Sequence, residues 1–482
     1  MNLVRKVFVA AVLSYIMPAA LPAASSDDTT AVSLTGSWLG TLKVAPSTEL
    51  RVVFNITANP DGSLSGTMDS PDQGATGIAV SQVTFENGRL HLGVDSVGGH
   101  YDGTLSADGS EFSGQWTQAG ILMDLPIKRV KEAPKVRRPQ EPKRPYPYID
   151  EEVTYQNARD SVTLAGTLTM PRTGGPFPAV ILITASGLQD RDESLFGHRP
   201  FLVLADYLTR RGIAVLRVDD RGVGGSKGGL SEATSEDFAR DVLAGVGYLK
   251  SRKEIDPKRI GLIGHSEGGI IAPIAAARSN DVAFILLMAG TGVTGDVIIE
   301  GQAVNELKAK GADQALIDMT IQSQRRVAEI IKSEADPNIA KEEIRKIITD
   351  AVSKLDEKQK RIIEYHEGYA EAQAQGVMSK WLRFFITHDP TETLRKVKCP
   401  VLAINGSLDT QVPAKQNLSA IEQALREGKN PDFTVKELAG LNHLFQTAKT
   451  GGGDEYARIE ETMSPLALET MAKWIEARDK RE

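Results

Sequence analysis

The fold is decided by a stretch of twelve residues, Ile260-Gly261-Leu262-Ile263-Gly264-His265-Ser266-Glu267-Gly268-Gly269-Ile270-Ile271. The apolar residues 260–263 predict a buried strand, and the apolar run that starts at Gly268 predicts a helix. Only a sharp turn can join the two, and the glycines two positions before and after Ser266 permit it. A strand–turn–helix of this kind raises the serine hydroxyl above the end of a sheet, at the positive end of a helix.

Outward from this stretch, apolar runs alternate with helix-like segments. An antiparallel pair is predicted at 153–155 and 162–170, and buried strands at 179–183, 214–218, 260–263, 282–288 and 401–404. Helices are predicted at 201–211, 235–252, 268–278, 416–426 and 465–478. Strands that are apolar on both faces and separated by helices indicate an α/β fold with a mostly parallel, covered sheet over 150–482. Helix-forming residues over about 293–390 predict a helical lid.

Ser266 must be activated by other residues, because an unassisted hydroxyl is a weak nucleophile. A base must take its proton and an acid must orient the base, and in this architecture acid and base follow on loops after later strands. Asp409 follows strand 401–404, and His443, the only histidine after Asp409, follows a strand at 433–438. We therefore predict Ser266, Asp409 and His443 as the catalytic group. A second G-x-S-x-G around Ser226 lacks the strand and helix context, so we favour Ser266.

A tetrahedral oxyanion needs two preorganised N–H donors. The backbone N–H of Glu267, directly after the nucleophile, is the first. The second is expected from the loop that follows strand 179–183, where Gly187 lets the chain turn the next amide inward. We choose Leu188, with Gln189 second. His265 is expected to point away from the nucleophile.

Three motifs resemble those of the α/β-hydrolase superfamily, and within it those of bacterial secreted serine esterases of the EstD type. They are Ser186-Gly187-Leu188-Gln189-Asp190-Arg191-Asp192, Asp219 to Ser226, and Gly264 to Gly269. The resemblance implies an α/β-hydrolase fold and a carboxylesterase that cleaves short-chain acyl esters through an acyl-enzyme, without cofactor or metal. Relatives often have proline where this chain has Leu188. Serine aminopeptidases share much of the pattern, so a hydrolase of small peptides is the alternative, and an inert hydrolase fold that only binds is a third reading.

The N-terminus has the pattern of a secretory signal. Arg5 and Lys6 precede the apolar run 7–17, and small residues follow up to Ala24. This predicts a signal peptide over 1–24 and export to the bacterial periplasm or exterior. The run is too short for a bilayer core of ~30 Å, so no stable membrane insertion is expected after cleavage.

Between the signal and the α/β part, residues 32–130 read as a small antiparallel β domain. Short alternating runs, among them 50–56, 77–85 and 90–94, predict strands and are separated by turns such as Asn59-Pro60-Asp61-Gly62 and Ala107-Asp108-Gly109. A barrel or sandwich is expected, with substrate presentation, dimerisation and anchoring as equally compatible roles. Residues 131–148 alternate basic residues with proline, which predicts a semi-rigid linker.

Composition excludes several classes of function. The 482 residues carry a net charge of −7, so a nucleic acid is not the expected partner. Cys399 is the single cysteine, which rules out an intramolecular disulfide and a thiolate-rich metal centre. The expected partner is a small-molecule ester; nothing in the sequence indicates an oligomeric state.

Overall fold

The computed structural model describes residues 34–45, 48–118, 121–134, 137–229, 233–334 and 336–479. The predicted signal peptide, 1–24, lies outside these residues. Two sheets of ten and eight strands organise the chain. None of the helices in the described ranges combines the length and the apolar character that a membrane span requires.

The N-terminal sheet is antiparallel throughout. Its strands are β1 (Gly36–Ala45), β2 (Thr48–Ala58), β3 (Leu64–Ser70), β4 (Ala75–Val80), β5 (Gln82–Glu86), β6 (Arg89–Val94), β7 (Gly99–Leu105), β8 (Glu111–Gln118), β9 (Ile121–Asp124) and β10 (Ile127–Val130). They pair in the order β4-β3-β2-β1-β10-β8-β7-β6-β5, with β9 on β8. Alternate residues of these strands meet in a core that includes Trp38, Phe54, Tyr101, Phe112 and Trp116. This sheet confirms the predicted antiparallel β domain.

One predicted strand of this domain is wrong. The run 77–85 is split between β4 and β5 at Ser81, whose amide and hydroxyl both donate to the carbonyl of Gly93. β4 pairs with β3, whereas β5 pairs with β6. The alternation changes phase at the break, from Ile78 and Val80 to Val83 and Phe85, and the adjacent polar residues Ser81 and Gln82 mark the point at which the partner changes.

The second sheet has one antiparallel edge and six parallel strands. Its members are β11 (Ile149–Asn157), β12 (Val162–Met170), β13 (Phe177–Ile183), β14 (Ala214–Val218), β15 (Ile255–His265), β16 (Phe284–Met288), β17 (Val401–Gly406) and β18 (Phe433–Leu438). They lie in the order β11-β12-β14-β13-β15-β16-β17-β18. Pairing is parallel from β14 onward. This is the predicted α/β-hydrolase sheet, and it brings the carboxyl ends of β13, β15, β17 and β18 to one edge.

Helices cover both faces of this sheet. They are α1 (Pro200–Thr209), α2 (Ser235–Lys250), α3 (Gly268–Arg278), α4 (Gly295–Ala309), α5 (Gln314–Ser333), α6 (Pro337–Ser353), α7 (Glu357–Ile362), α8 (Tyr369–Gly376), α9 (Lys380–Thr387), α10 (Pro390–Leu394), α11 (Ala414–Glu427) and α12 (Pro465–Asp479). Apolar residues of α2, α3 and α11 pack on one face, and those of α1 and α12 on the other. Helices α4 to α10 follow β16 and precede β17, in the segment predicted to form a lid.

The proline-rich stretch between the two sheets is docked on the α/β part, which a spacer would not require. The guanidinium of Arg138 donates to four carbonyls: those of Gly197 at 2.9 Å, Phe196 at 3.1 Å, Ala457 at 2.7 Å and Ile459 at 2.8 Å. A guanidinium has five N–H donors in a rigid fork, which suits several acceptors at once. We call residues 137–148 the strap.

We expect Arg138→Ala to lower the free energy of unfolding by about 2 kcal/mol, because four charge-assisted hydrogen bonds are lost at a half-buried site. Thermal denaturation followed by circular dichroism measures the shift. The matched control is Arg137→Ala, since that side chain is exposed and its neighbour does the docking. Equal melting temperatures for the two variants would contradict the docking role of Arg138.

Candidate active site

The turn between β15 and α3 is built for Ser266 by close backbone approach. Ser266 has φ +53°, a left-handed conformation that is costly for a residue with a side chain. Its amide donates to the carbonyl of Met288 at 2.8 Å, which pins the turn to the neighbouring strand. A Cβ on Gly264 would lie 2.0 Å from the carbonyl oxygen of Gly268, and one on Gly268 would lie 2.3 Å from that of Ile183. Only glycine fits at both positions.

Ser226, in the other G-x-S-x-G, has a structural environment. Its hydroxyl donates to the carbonyl of Asp219 at 2.7 Å and accepts from the amide of Ala165 at 2.9 Å. Both partners are main-chain groups, so the hydroxyl holds the loop after β14 against β12. This arrangement provides no base.

Asp409 and His443 are brought together across the ends of β17 and β18. Nδ1 of His443 lies 2.8 Å from Oδ2 of Asp409. The other carboxylate oxygen, Oδ1, accepts from the amides of Gln411 and Val412, each at 2.8 Å. Because Asp409 only accepts, Nδ1 carries the proton and Nε2 presents its lone pair.

That lone pair is available to act. His443 is 4% exposed, and its Nε2 has no hydrogen-bond partner in the part of the chain that the structure describes. Ser266 is 7% exposed and is not hydrogen-bonded to His443. Of the three residues predicted to act together, the structure joins Asp409 to His443 by a hydrogen bond and shows none between Ser266 and His443.

In the loop after β13, hydrogen bonds to two carboxylates fix the backbone at Ala185 and at Gln189. At one end, the amide of Ala185 donates to Oε1 of Glu193 at 2.8 Å. At the other, the amide of Gln189 donates to Oδ2 of Asp220 at 3.1 Å. Gln189, the second choice for the oxyanion donor, thus has its N–H occupied.

The two favoured donors are free. Among the described residues, neither the amide of Leu188 nor that of Glu267 has a hydrogen-bond partner. Gly187 has φ +102°, the conformation that turns the following amide. The Leu188 side chain is 54% exposed, so its main chain rather than its packing accounts for its place in the loop.

Sequence reasoning missed the role of His265 and Glu193. Nδ1 of His265 lies 2.9 Å from Oε1 of Glu193, and Nε2 lies 2.9 Å from the carbonyl oxygen of His443. The rings of His265 and His443 are 4.9 Å apart between centroids. No local pattern signals these contacts, because they join residues 72 and 178 positions apart.

Arginines hold the neighbouring acidic residues of the same loop. Arg191 pairs with Asp219 at 2.8 Å and with Glu152, and Asp192 pairs with Arg217. These pairs form an ion-pair network that ties the loop after β13 to β11 and to the end of β14. Within the described ranges, no group of three or more histidine, cysteine, aspartate or glutamate side chains is arranged to hold a metal ion.

A second unpredicted contact links the helical segment between β16 and β17 to the turn that carries Ser266. Oε1 of Glu267 accepts from the hydroxyl of Ser235 at 2.7 Å and from the indole N–H of Trp381 in α9 at 2.8 Å. Trp381 stacks on Phe385 with centroids 5.4 Å apart. Burial raises the pKa of the Glu267 carboxyl. Trp381 thus contacts the turn that carries Ser266 as well as Phe385 in its own helix.

Comparison with known proteins places the chain among hydrolases. The family model of the X-Pro dipeptidyl-peptidases (S15 family) matches residues 160–439, more than half of the chain. The esterase EstD of Thermotoga maritima is 30% identical over 185 residues, which cover 37% of this chain and 42% of that protein. The chain thus spans about two fifths of the length of this curated relative.

Solved structures with a similar fold include two esterases. The esterase Pf2001 of Pyrococcus furiosus is 17% identical with a TM-score of 0.40, covering 69% of this chain and 90% of the other. Est1E of Butyrivibrio proteoclasticus is 16% identical with a TM-score of 0.38, covering 68% of this chain and 99% of the other. At these values the likeness says nothing about function.

We expect Gly268→Ala to destabilise the protein by about 3 kcal/mol or more, because the added methyl group overlaps the carbonyl of Ile183 and both are backbone-fixed. Folded yield and melting temperature measure the effect. Gly247→Ala is the matched control: Gly247 is exposed on α2 with nothing within 4 Å of an added Cβ, so it gains up to about 1 kcal/mol of helix propensity. Similar losses in both variants would contradict the close approach.

Proposed function

The chain belongs to the X-Pro dipeptidyl-peptidase (S15) family of α/β-hydrolases and is a serine hydrolase of the S15/esterase type, and on that premise we propose that it hydrolyses carboxylic esters with short acyl chains. The observation that carries the proposal is the free Nε2 of His443, buried with its Nδ1 bound to Asp409. A base in this state accepts a proton as soon as a substrate brings the nucleophile into reach.

In the proposed reaction, Ser266 Oγ attacks the ester carbonyl carbon while Nε2 of His443 takes the hydroxyl proton. Asp409 stabilises the imidazolium and keeps the ring oriented. The amides of Glu267 and Leu188 hold the oxyanion, assisted by the positive end of α3. His443 then gives its proton to the departing alcohol. Water, activated by the same base, attacks the acyl-enzyme and restores the serine.

Two features support an ester rather than a peptide substrate. The relative from Thermotoga maritima is named an esterase. The three loop motifs of this chain resemble those of esterases of the same type. We further propose that the protein is exported, on the strength of the predicted signal at 1–24.

Hydrolysis of small peptides is the second candidate, because the family model is named for X-Pro dipeptidyl-peptidases. A peptidase that trims from the N-terminus needs an acidic group for the free amine. Glu267 is a buried carboxyl next to the nucleophile, and the recorded partners of its Oε1 are the neutral donors Ser235 and Trp381. An ammonium group would meet an uncompensated carboxyl there.

We expect Ser266→Ala to reduce kcat for p-nitrophenyl butyrate by about 10³-fold or more and to abolish labelling by a fluorophosphonate, because both need the nucleophile. Ser226→Ala is the control: it should keep its labelling and lose some thermal stability. Activity that disappears in Ser226→Ala and persists in Ser266→Ala would overturn the choice of serine.

Parallel assays separate the two candidate functions. We expect kcat/KM for p-nitrophenyl acetate and butyrate to exceed that for Gly-Pro p-nitroanilide by at least 100-fold, since the proposed site stabilises ester cleavage. Ester panels of graded acyl length then define the pocket. Preference for the anilide, lost in Glu267→Gln, would favour the peptidase.

A further inference from the structure

His265 has two hydrogen-bond partners, and both are acceptors. Nδ1 faces Oε1 of Glu193, which also accepts the amide of Ala185, and Nε2 faces the carbonyl oxygen of His443. A neutral imidazole donates from only one nitrogen. Both contacts are satisfied together only when both ring nitrogens carry protons, so the geometry describes an imidazolium paired with a carboxylate. His265 and Glu193 are 3% and 1% exposed, respectively.

The surroundings favour this charge. Burial lowers the pKa of the His265 imidazole, but the Glu193 carboxylate beside it outweighs the burial, and the pKa lies above its ordinary value. The other titratable groups that face the ring are His443, through its carbonyl and its tilted ring, and the more distant Asp409. Glu193 adopts a left-handed backbone conformation with φ +52°, which is costly for a residue with a side chain.

The contact to His443 has a particular consequence for geometry. His265 is joined by a peptide bond to Ser266, and its Nε2–H binds the main chain of His443. Asp409 holds the side chain of the same residue through Nδ1. The base is thus fixed at its ring by the acid and at its backbone by the residue that precedes the nucleophile.

We propose that the Glu193–His265 ion pair is a positioning device that sets the approach of His443 Nε2 to Ser266 Oγ. The proposal rests on the function proposed above. If His265 loses a proton, it keeps its bond to Glu193 and turns a lone pair toward the carbonyl of His443. Two acceptors then face each other, and the loop that carries the base is released. The pair therefore holds the base in place only while His265 is protonated.

The sharpest test is Glu193→Gln, because the amide oxygen still accepts while the charge is gone. We expect kcat for p-nitrophenyl butyrate to fall about tenfold or more in the pH range between the pKa of His265 in the variant and its higher pKa in the unmodified protein, since small misplacements of reacting groups are costly. Below this range, where His265 is protonated in both proteins, kcat should stay near that of the unmodified protein. KM should change less than twofold, and the alkaline limb of the kcat profile should move toward neutral pH.

Thermal stability gives an independent readout. Since the folded-state pKa of His265 is raised, the stabilisation is fully present below the unfolded-state pKa and is lost as the pH rises through the folded-state pKa. The difference in melting temperature between the unmodified protein and Glu193→Gln should therefore be largest in mildly acidic solution and shrink at alkaline pH.

His198→Gln is the matched control for a merely structural histidine. His198 is also buried, bonds to Thr462 and to the carbonyl of Tyr456, and burial lowers its pKa to about 4. This variant should lose thermal stability without moving the pH profile. His265→Gln, which keeps a donor but cannot carry the charge at any pH, should show the reduced kcat across the whole pH range.

The outcomes are distinguishable. Wild-type pH profiles for Glu193→Gln, accompanied only by lower melting temperatures, would overturn the positioning role while leaving the proposed function intact. Full activity in Ser266→Ala would overturn the proposed function itself. If His265→Gln does not fold, Glu193→Gln decides alone.

Discussion

Close contact between backbones at the end of β15 is the constraint on which the rest of the molecule depends. Gly264 and Gly268 approach each other and the carbonyl of Ile183 so tightly that no side chain fits, and an added Cβ on Gly269 would lie 2.5 Å from the Cα of Gly290. This packing brings α3 against β13 and β16 and forces Ser266 into a left-handed conformation. The hydrogen bond from the amide of Ser266 to the carbonyl of Met288 in the neighbouring strand helps to offset the free-energy cost of that conformation.

The α/β part could be predicted because its strands are buried on both faces and therefore read as continuous apolar runs. The residues at which its strands begin and end were harder to predict. β15 starts at Ile255, five residues before the predicted strand, because Ile255 pairs with Phe177 although Asp256, Lys258 and Arg259 are polar. In the β domain, alternation predicts strands but not their pairing partners. The break at Ser81 does have a signal, since the apolar positions shift from Ile78 and Val80 to Val83 and Phe85, and treating 77–85 as one run overlooks it.

At the site, the order serine, acid, base along the chain was enough to select Asp409 and His443, and the structure joins these two. The groups that support them lie in other loops. Glu193 meets His265, and Glu267 meets Trp381, over 72 and 114 residues of chain. Such contacts depend on how loops fold back on the sheet, for which a single sequence has no periodic signal. Charged residues next to a glycine-rich loop motif are the clue that reasoning from sequence could have weighted more heavily.

The way in which the strap is attached affects which amino-acid substitutions the contact between the strap and the α/β part tolerates. Arg138 recognises its docking site almost entirely through peptide carbonyls, at positions 196, 197, 457 and 459. Main-chain oxygens are the same whatever amino acid carries them. Mutations that change the side chains at these four positions therefore leave the hydrogen bonds of Arg138 untouched, as long as the arginine and the local backbone path are retained.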